Sequence, residues 1–269
     1  MKNNLGILVT LMLSLVAASG YTQNLLNGPQ KIAIDIKRNR LLVSNANSGD
    51  LIQIDSIGNQ TYFVQNADFV DGLEIVGDII FGIGNNRKIK AYSLVTKQLV
   101  LDYTIAGSPS NYLSSITSDS MGYLFISCPL LNEIYRMNIK TPSHWIFAKD
   151  KGLNKPNGIL LEKEKNRIVV IDDSPNSKIH AISLADSSIT TLYSTSFNSP
   201  DGIIRDKFRN YYVGGYYLQG IFKIDSEFSR DNLFFEGNSI VYPTYDESTH
   251  SIIITHYNAN TWERVFIKN

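Results

Sequence analysis

Pro156-Asn157-Gly158-Ile159 returns forty-four residues later as Pro200-Asp201-Gly202-Ile203. Each copy sets a short polar side chain and a glycine directly before an apolar run, the pattern of a chain that turns tightly and then enters a strand. Outward from these two copies, strand-like segments rich in β-branched and aromatic residues recur at Leu41–Val43, Ile79–Phe81, Tyr123–Ile126, Arg167–Ile171, Tyr211–Val213 and Ser251–Ile254. Polar turns such as Lys37-Arg38-Asn39 and Lys207-Phe208-Arg209-Asn210 precede them, and alternating segments such as Ile134-Tyr135-Arg136-Met137 follow. In register, the Asn157 position falls on Gln30, Asp71, Ser114, Asn157, Asp201 and Pro243, with steps of 41 to 44 residues. A period of about 40–45 residues with several strands per unit predicts an all-β propeller, and six copies predict six blades. Blade 6 runs out after its third strand, 264–267. Because an open strand edge invites unwanted pairing, residues 21–28 are expected to pair with it as the missing outer strand.

Composition sets wide bounds. The 269 residues are 43% hydrophobic, enough to build one domain over residues 23–269. Lysine plus arginine and aspartate plus glutamate are 25 each, so no net field draws the chain to nucleic acid or to an anionic membrane. Residues 1–22 read as an export signal: Lys2 opens a short positive region, Leu5–Ala17 is apolar, and Ala17-Ala18-Ser19-Gly20 offers small residues for cleavage. No cysteine follows to carry a lipid, so the expected mature protein is secreted or periplasmic and has no membrane anchor. Cys128 is the only cysteine and excludes an intrachain disulfide.

In a propeller the innermost strand starts at the face to which the second strand returns. Two rings of residues therefore meet at one mouth: the six positions above, and Asn45, Ile83, Cys128, Asp172, Gly215 and His256 at the ends of the second strands. Asp71, Asp172 and Asp201 with Gln30, Asn45 and Asn157 make an oxygen-rich ring of the kind that hard divalent cations such as calcium or magnesium select. A single Asp or Asn before Gly is also an ordinary turn residue, and only the shared register points to a site. The expected cation ligands are Gln30, Asp71, Asn157 and Asp201, with Asp201 also a base. Ser114, Asp172, Tyr216 and His256 are expected to contact a small-molecule substrate. Zinc would need nitrogen ligands; His250 and His256 share a strand face, but Ile252 and Ile254 between them point to core packing. Tyr211-Tyr212 and Tyr216-Tyr217 are either core and rim packing or aromatic walls for a ring-shaped ligand. Glu162-Lys163-Glu164-Lys165 reads as a solvated hairpin tip.

The six-blade period with Pro156-Asn157-Gly158 and Pro200-Asp201-Gly202 resembles the gluconolactonase/regucalcin (senescence marker protein) family and, more loosely, the NHL-repeat propellers. The resemblance implies a divalent metal at the channel mouth, held by a Glu of blade 1, an Asn of blade 3, an Asn of blade 4 and an Asp of blade 5, the last also the base in lactone hydrolysis. The blade 4 and blade 5 positions fall on Asn157 and Asp201. The blade 1 Glu falls on Gln30, the blade 3 Asn on Ser114, and a substrate-contacting Arg on Tyr112, so half of the family's metal set is altered. Asp71, in the same ring, can supply the charge lost at Gln30. Two functions stay open: a metal-dependent hydrolase of a lactone or related small ester, and a non-catalytic propeller that binds a small ligand or a protein.

Overall fold

The structure is a computed structural model that describes residues 23–119 and 121–268. The expected export signal lies outside the described residues. Six antiparallel sheets follow one another along the chain as the blades of a six-bladed β-propeller, five with four strands and the last with three. The innermost strands are Pro29–Asp35, Leu73–Val76, Ile116–Ser118, Pro156–Glu162, Gly202–Arg205 and Thr244–Asp246. Each pairs with a second strand, respectively Arg40–Asn45, Ile79–Ile83, Tyr123–Cys128, Arg167–Asp172, Tyr211–Gly214 and Ser251–His256. No helix among the described residues is long and apolar enough to cross a membrane.

The apolar residues that repeat along the strands do not gather into one core. They form six clusters, each filling the seam between two neighbouring blades. In the seam of blades 4 and 5, Val169 and Ile171 meet Ile203, Tyr211 and Val213. The ring closes where Ile32, Leu41 and Val43 of blade 1 pack against Ile253 of blade 6. At roughly 25 cal/mol per Å² of apolar surface removed from water, these seams are what holds blade to blade.

Closure does not use the strand expected at residues 21–28. Among the described residues nothing pairs with the outer edge of the last strand, Thr261–Phe266, and residues 23–28 carry no ladder bonds to it. Residues 21 and 22 lie outside the described residues. Instead the segment seals the blade 1–blade 6 seam by packing: Leu26 is buried beside Ile253 and Trp262. Its polar groups reach the turns at the mouth, with Asn24 Nδ2 donating to Asn260 O at 2.8 Å and the Gly28 N–H to Asn260 Oδ1 at 2.7 Å. Side-chain bonds to turns satisfy this stretch, which leaves its backbone no reason to extend along blade 6.

The expected solvated hairpin tip is corrected at its first residue. Glu162 is fully buried, closing the innermost strand of blade 4, and accepts from Arg167 Nε at 2.5 Å, from Arg205 and from the Tyr211 hydroxyl. Only Lys163, Glu164 and Lys165 face solvent. Buried carboxylates stand at the corresponding place in other blades, at Asp35, Asp119, Asp206 and Asp246, each answered by nearby donors.

The glycines of the opening motif have a different physical reason from the tight turn expected. Gly72, Gly158 and Gly202 do not adopt positive φ. A Cβ on Gly158 would lie 2.6 Å from Asp201 O and 2.9 Å from the Gly202 Cα; one on Gly72 would meet Ser114 O at 2.8 Å; one on Gly202 would meet Tyr242 and Pro243. The absent side chain lets the start of each innermost strand touch the start of the next. Gly158→Ala is therefore expected to destabilise by about 1–3 kcal/mol, the ordinary cost of overpacking against backbone. A thermal melt followed by circular dichroism checks it, and an unchanged midpoint would show that the strands can part freely.

Candidate site at the channel mouth

Register brings the ring residues together. Gln30, Asp71, Ser114, Asn157 and Asp201 line one cavity of about 410 Å³ at the mouth, within the usual size for small-molecule sites. Gln30 and Asn157 sit at irregularities of register near the starts of their strands, between Pro29 and Ile32 and between Pro156 and Ile159. Such bulges re-aim a side chain, here toward the channel axis. A larger hollow of about 490 Å³ lies at the outer seam of blades 5 and 6, where the last blade lacks a fourth strand. Its lining mixes Lys223, Asp225, Arg230, Phe234 and Phe266, with Arg230 answered by Asp225 at 3.6 Å.

Three expected members, Asp172, His256 and Asn45, do not line the mouth cavity. Asp172 is buried within blade 4, where its Oδ2 meets His180 Nε2 at 3.0 Å, and it does not line the cavity. The next residue, Asp173, lines it instead, because successive side chains past a strand end face opposite ways. His256 turns outward, its Nε2 2.6 Å from Glu263 Oε1 on the neighbouring strand. Asn45 spends its amide on the N-terminal segment, donating to Leu25 O at 2.9 Å. Tyr216 does line the cavity, as do Tyr112, Tyr217 and Tyr257, while Tyr211 and Tyr212 are core residues. Cys128 is buried against the Arg87 guanidinium, a packing role.

The residue that sequence reasoning missed is Tyr242. Register assigned Pro243 to blade 6, yet the side chain that enters the ring is the one before it. Blade 6 lacks the glycine that marks the position in its neighbours, and a slip of one residue reverses which side chain points inward. The Tyr-Pro pair was the available signal. Buried Tyr242 places its hydroxyl 2.6 Å from Ser114 Oγ and 2.7 Å from Asn157 Oδ1, and Ser114 Oγ lies 2.5 Å from Asn157 Oδ1. Three mutually close oxygens thus share two hydroxyl protons, since the amide oxygen brings none. One edge of the triangle has no proton in it, and Asp71 Oδ2, 3.4 Å from Ser114 Oγ, competes for the same hydroxyl proton.

Around this triangle the centre is short of positive charge. Gln30 Oε1 and Asp71 Oδ1 are buried acceptors with no partner among the described residues. Burial, and then the neighbouring Asp201 charge, push the Asp71 carboxyl well above the usual carboxylate range. Asp201 accepts from Asn157 Nδ2 at 3.1 Å and from the Tyr216 N–H at 2.6 Å, yet burial and the Asp173 charge still raise its pKa to about 7. Burial and the two carboxylates raise the Tyr242 hydroxyl too, so at neutral pH it is a neutral donor. Among the described residues no Lys, Arg or His lines the cavity, and the part-buried Lys31 ammonium behind it donates to Pro243 O at 2.8 Å. Excess acceptor oxygens, two of them orphaned, and carboxylates that resist ionisation fit a hard divalent cation. The residues positioned to hold one are Asp71, Asp201, Gln30 and Asn157, with the Ser114 and Tyr242 hydroxyls beside them.

No protein-family model matches the sequence, and no curated protein sequence matches it. Among solved structures, a gluconolactonase from Xanthomonas campestris is similar over 91% of this chain and 88% of its own, at 15% identity and a TM-score of 0.75. Virginiamycin B lyase from Staphylococcus aureus is similar over 90% of this chain and 85% of its own, at 16% identity and a TM-score of 0.66. A chain of the nidogen/laminin complex is similar over 85% of this chain and 93% of its own, at 15% identity and a TM-score of 0.66. At these identities the likeness is one of β-propeller fold alone, and any function has to be read from this chain's own residues.

Proposed function

We propose that the protein is an exported, divalent-cation-dependent hydrolase of a lactone or related small ester, acting at the channel mouth. The observation that carries this reading is the oxygen triangle of Ser114, Asn157 and Tyr242 with two protons among three atoms, beside the unpartnered Gln30 Oε1 and Asp71 Oδ1. A cation bound there would polarise the substrate carbonyl and acidify a water. The chain's own groups do the rest. Asp201, whose carboxyl burial raises to about 7 in the cation-free protein, would ionise on cation binding and then take a proton from water as the base. Asn157 Nδ2 and the Tyr216 N–H fix the orientation of its two oxygens. Water oxygen adds to the acyl carbon, the acyl C–O bond breaks, and the proton taken by Asp201 passes to the departing alkoxide, which becomes the hydroxyl of the opened product.

A second reading is supported by a different feature of the same atoms. Asn157 Oδ1 already receives two hydroxyls, and Gln30, Ser114 and Tyr112 stand where the resembled family has Glu, Asn and Arg, which suits a propeller that binds a ligand without turning it over. Calorimetric titration of the metal-free protein with calcium, magnesium, zinc and manganese, followed by a lactone hydrolysis assay at saturating cation, separates the two. Binding with turnover is expected, with a cation affinity that strengthens as pH rises through about 7, where Asp201 of the cation-free protein ionises. Binding without turnover leaves the ligand-binding propeller, and no heat from any of the four cations removes the cation-dependent hydrolase.

A further inference from the structure

The cavity walls add a charge pattern that the chemistry at its floor does not use. Three carboxylates line the mouth, Asp71, Asp173 and Asp201, with no basic side chain among them. A divalent cation balances Asp71 and Asp201, which leaves Asp173 over. Its carboxylate takes part in no side-chain hydrogen bond or ion pair among the described residues, and it is half-buried at the rim.

Aromatic faces stand in the same cavity. Tyr216 meets Tyr217 edge to face at 5.0 Å and Tyr257 at 5.7 Å, so three rings set nearly at right angles form a corner. Two of them are fixed by their hydroxyls, Tyr216 through Asn258 at 3.0 Å and Tyr257 through Asn47 at 2.9 Å. Tyr217 is 72% exposed with its face open. Tyrosine faces lining one cavity with an unpaired carboxylate attract an ammonium group, through the ring quadrupole and through charge, and repel an acid.

We propose that the substrate carries a protonated amine: its lactone or ester carbonyl faces the Asp71 and Asp201 floor, and its ammonium group lies on the side of Asp173 and the tyrosine corner. This rests on the cation-dependent hydrolase reading and narrows it. An acidic lactone is excluded by the same lining, since nothing basic is present to receive its carboxylate.

Three probes with one ring and different charge test this: α-amino-γ-butyrolactone, γ-butyrolactone and γ-carboxy-γ-butyrolactone, each assayed for hydrolysis at saturating cation near pH 6, where the amine is protonated. The aminolactone is expected to show a kcat/KM at least about tenfold above the carboxylactone, as follows from roughly 1.4 kcal/mol of charge discrimination. Asp173→Asn should cut that ratio at least fivefold, chiefly through KM, and Asp173→Glu should restore most of it. A carboxylactone that is hydrolysed as well as the aminolactone, or a preference that survives Asp173→Asn, overturns the inference while the hydrolase stands. If the wild type binds none of calcium, magnesium, zinc and manganese in a parallel titration, the underlying reading falls first, and the two failures are told apart.

Discussion

Asp201→Asn is expected to lower divalent-cation affinity by at least about a hundredfold, since removing one partner of a buried charge pair costs about 3–5 kcal/mol and each 1.4 kcal/mol is tenfold. Lactone turnover should fall with it, because the same change removes the base. The cation-free variant should behave in the opposite sense. Asp201 has its folded pKa raised from 3.8 to about 7, so the native state binds the extra proton, and stability falls as pH rises from about 4 through about 7 and is then flat. At 1.36 kcal/mol per unit the wild type gives up at most roughly 4 kcal/mol above pH 7. Asn escapes that loss but can accept only one of the two bonds now made by Asn157 and the Tyr216 N–H, and an unsatisfied donor costs about 1–3 kcal/mol. The variant should therefore melt higher than the metal-free wild type at pH 8 and not at pH 4. Calorimetry at both pH values, with and without calcium, measures all four corners. Equal calcium affinity in the two proteins would reduce Asp201 to a turn residue.

Glu162→Ala should have the largest effect on stability. Glu162 is fully buried between blades 4 and 5 and gathers Arg167, Arg205 and Tyr211 around one carboxylate. Burial alone would raise its pKa, but the bonds from Tyr211, Arg167 and Arg205 outweigh it and the value is lowered. Its contribution is thus present above the ordinary glutamate value of 4.5 and disappears as pH falls through the lowered one. Deleting the carboxylate leaves part-buried Arg167 without its partner and Arg205 with only Glu164, and breaking a buried pair in this way costs about 3–5 kcal/mol. For a chain of this size that is a fall in melting temperature of roughly 6–20 °C. The wild type should also lose stability more steeply than the variant below pH 4.5. A variant that melts within a degree or two of wild type would mean the seam is held by its apolar residues alone.

The fold and much of the mouth were legible because both follow from short-range rules. Strand alternation and a recurring turn need only a dozen residues to be visible, and a period of 41 to 44 residues then places Gln30, Asp71, Ser114, Asn157 and Asp201 in one cavity. What escaped depends on a one-residue difference or on a partner far along the chain. Tyr242 replaced Pro243, and Asp173 replaced Asp172, because parity at a strand end decides which side chain faces inward. His256 was drawn aside by Glu263 across a strand pair. Glu162 looked like part of a charged tip, since Arg205 and Tyr211, which bury its charge, come from the next blade. The expected closing strand failed for a similar reason: Asn260 and Gln60, distant in sequence, hold the N-terminal segment by side-chain bonds.

The backbone contacts at Gly72, Gly158 and Gly202 make the mouth unequally stiff. They lock the start of blade 2 to blade 3 and the starts of blades 4, 5 and 6 into one arc, so the separations between Asp71 and Ser114 and among Asn157, Asp201 and Tyr242 are set by main chain in van der Waals contact. Gln30 stands outside both arcs, on a bulge, and Ser114 reaches Asn157 only through its hydroxyl. An ion of larger radius would therefore be accommodated by movement at Gln30 and at the Ser114–Asn157 step, while the Asp201 arc keeps its spacing. Discrimination between ions of equal charge and different size thus rests on the two compliant joints of the ring rather than on its most acidic member.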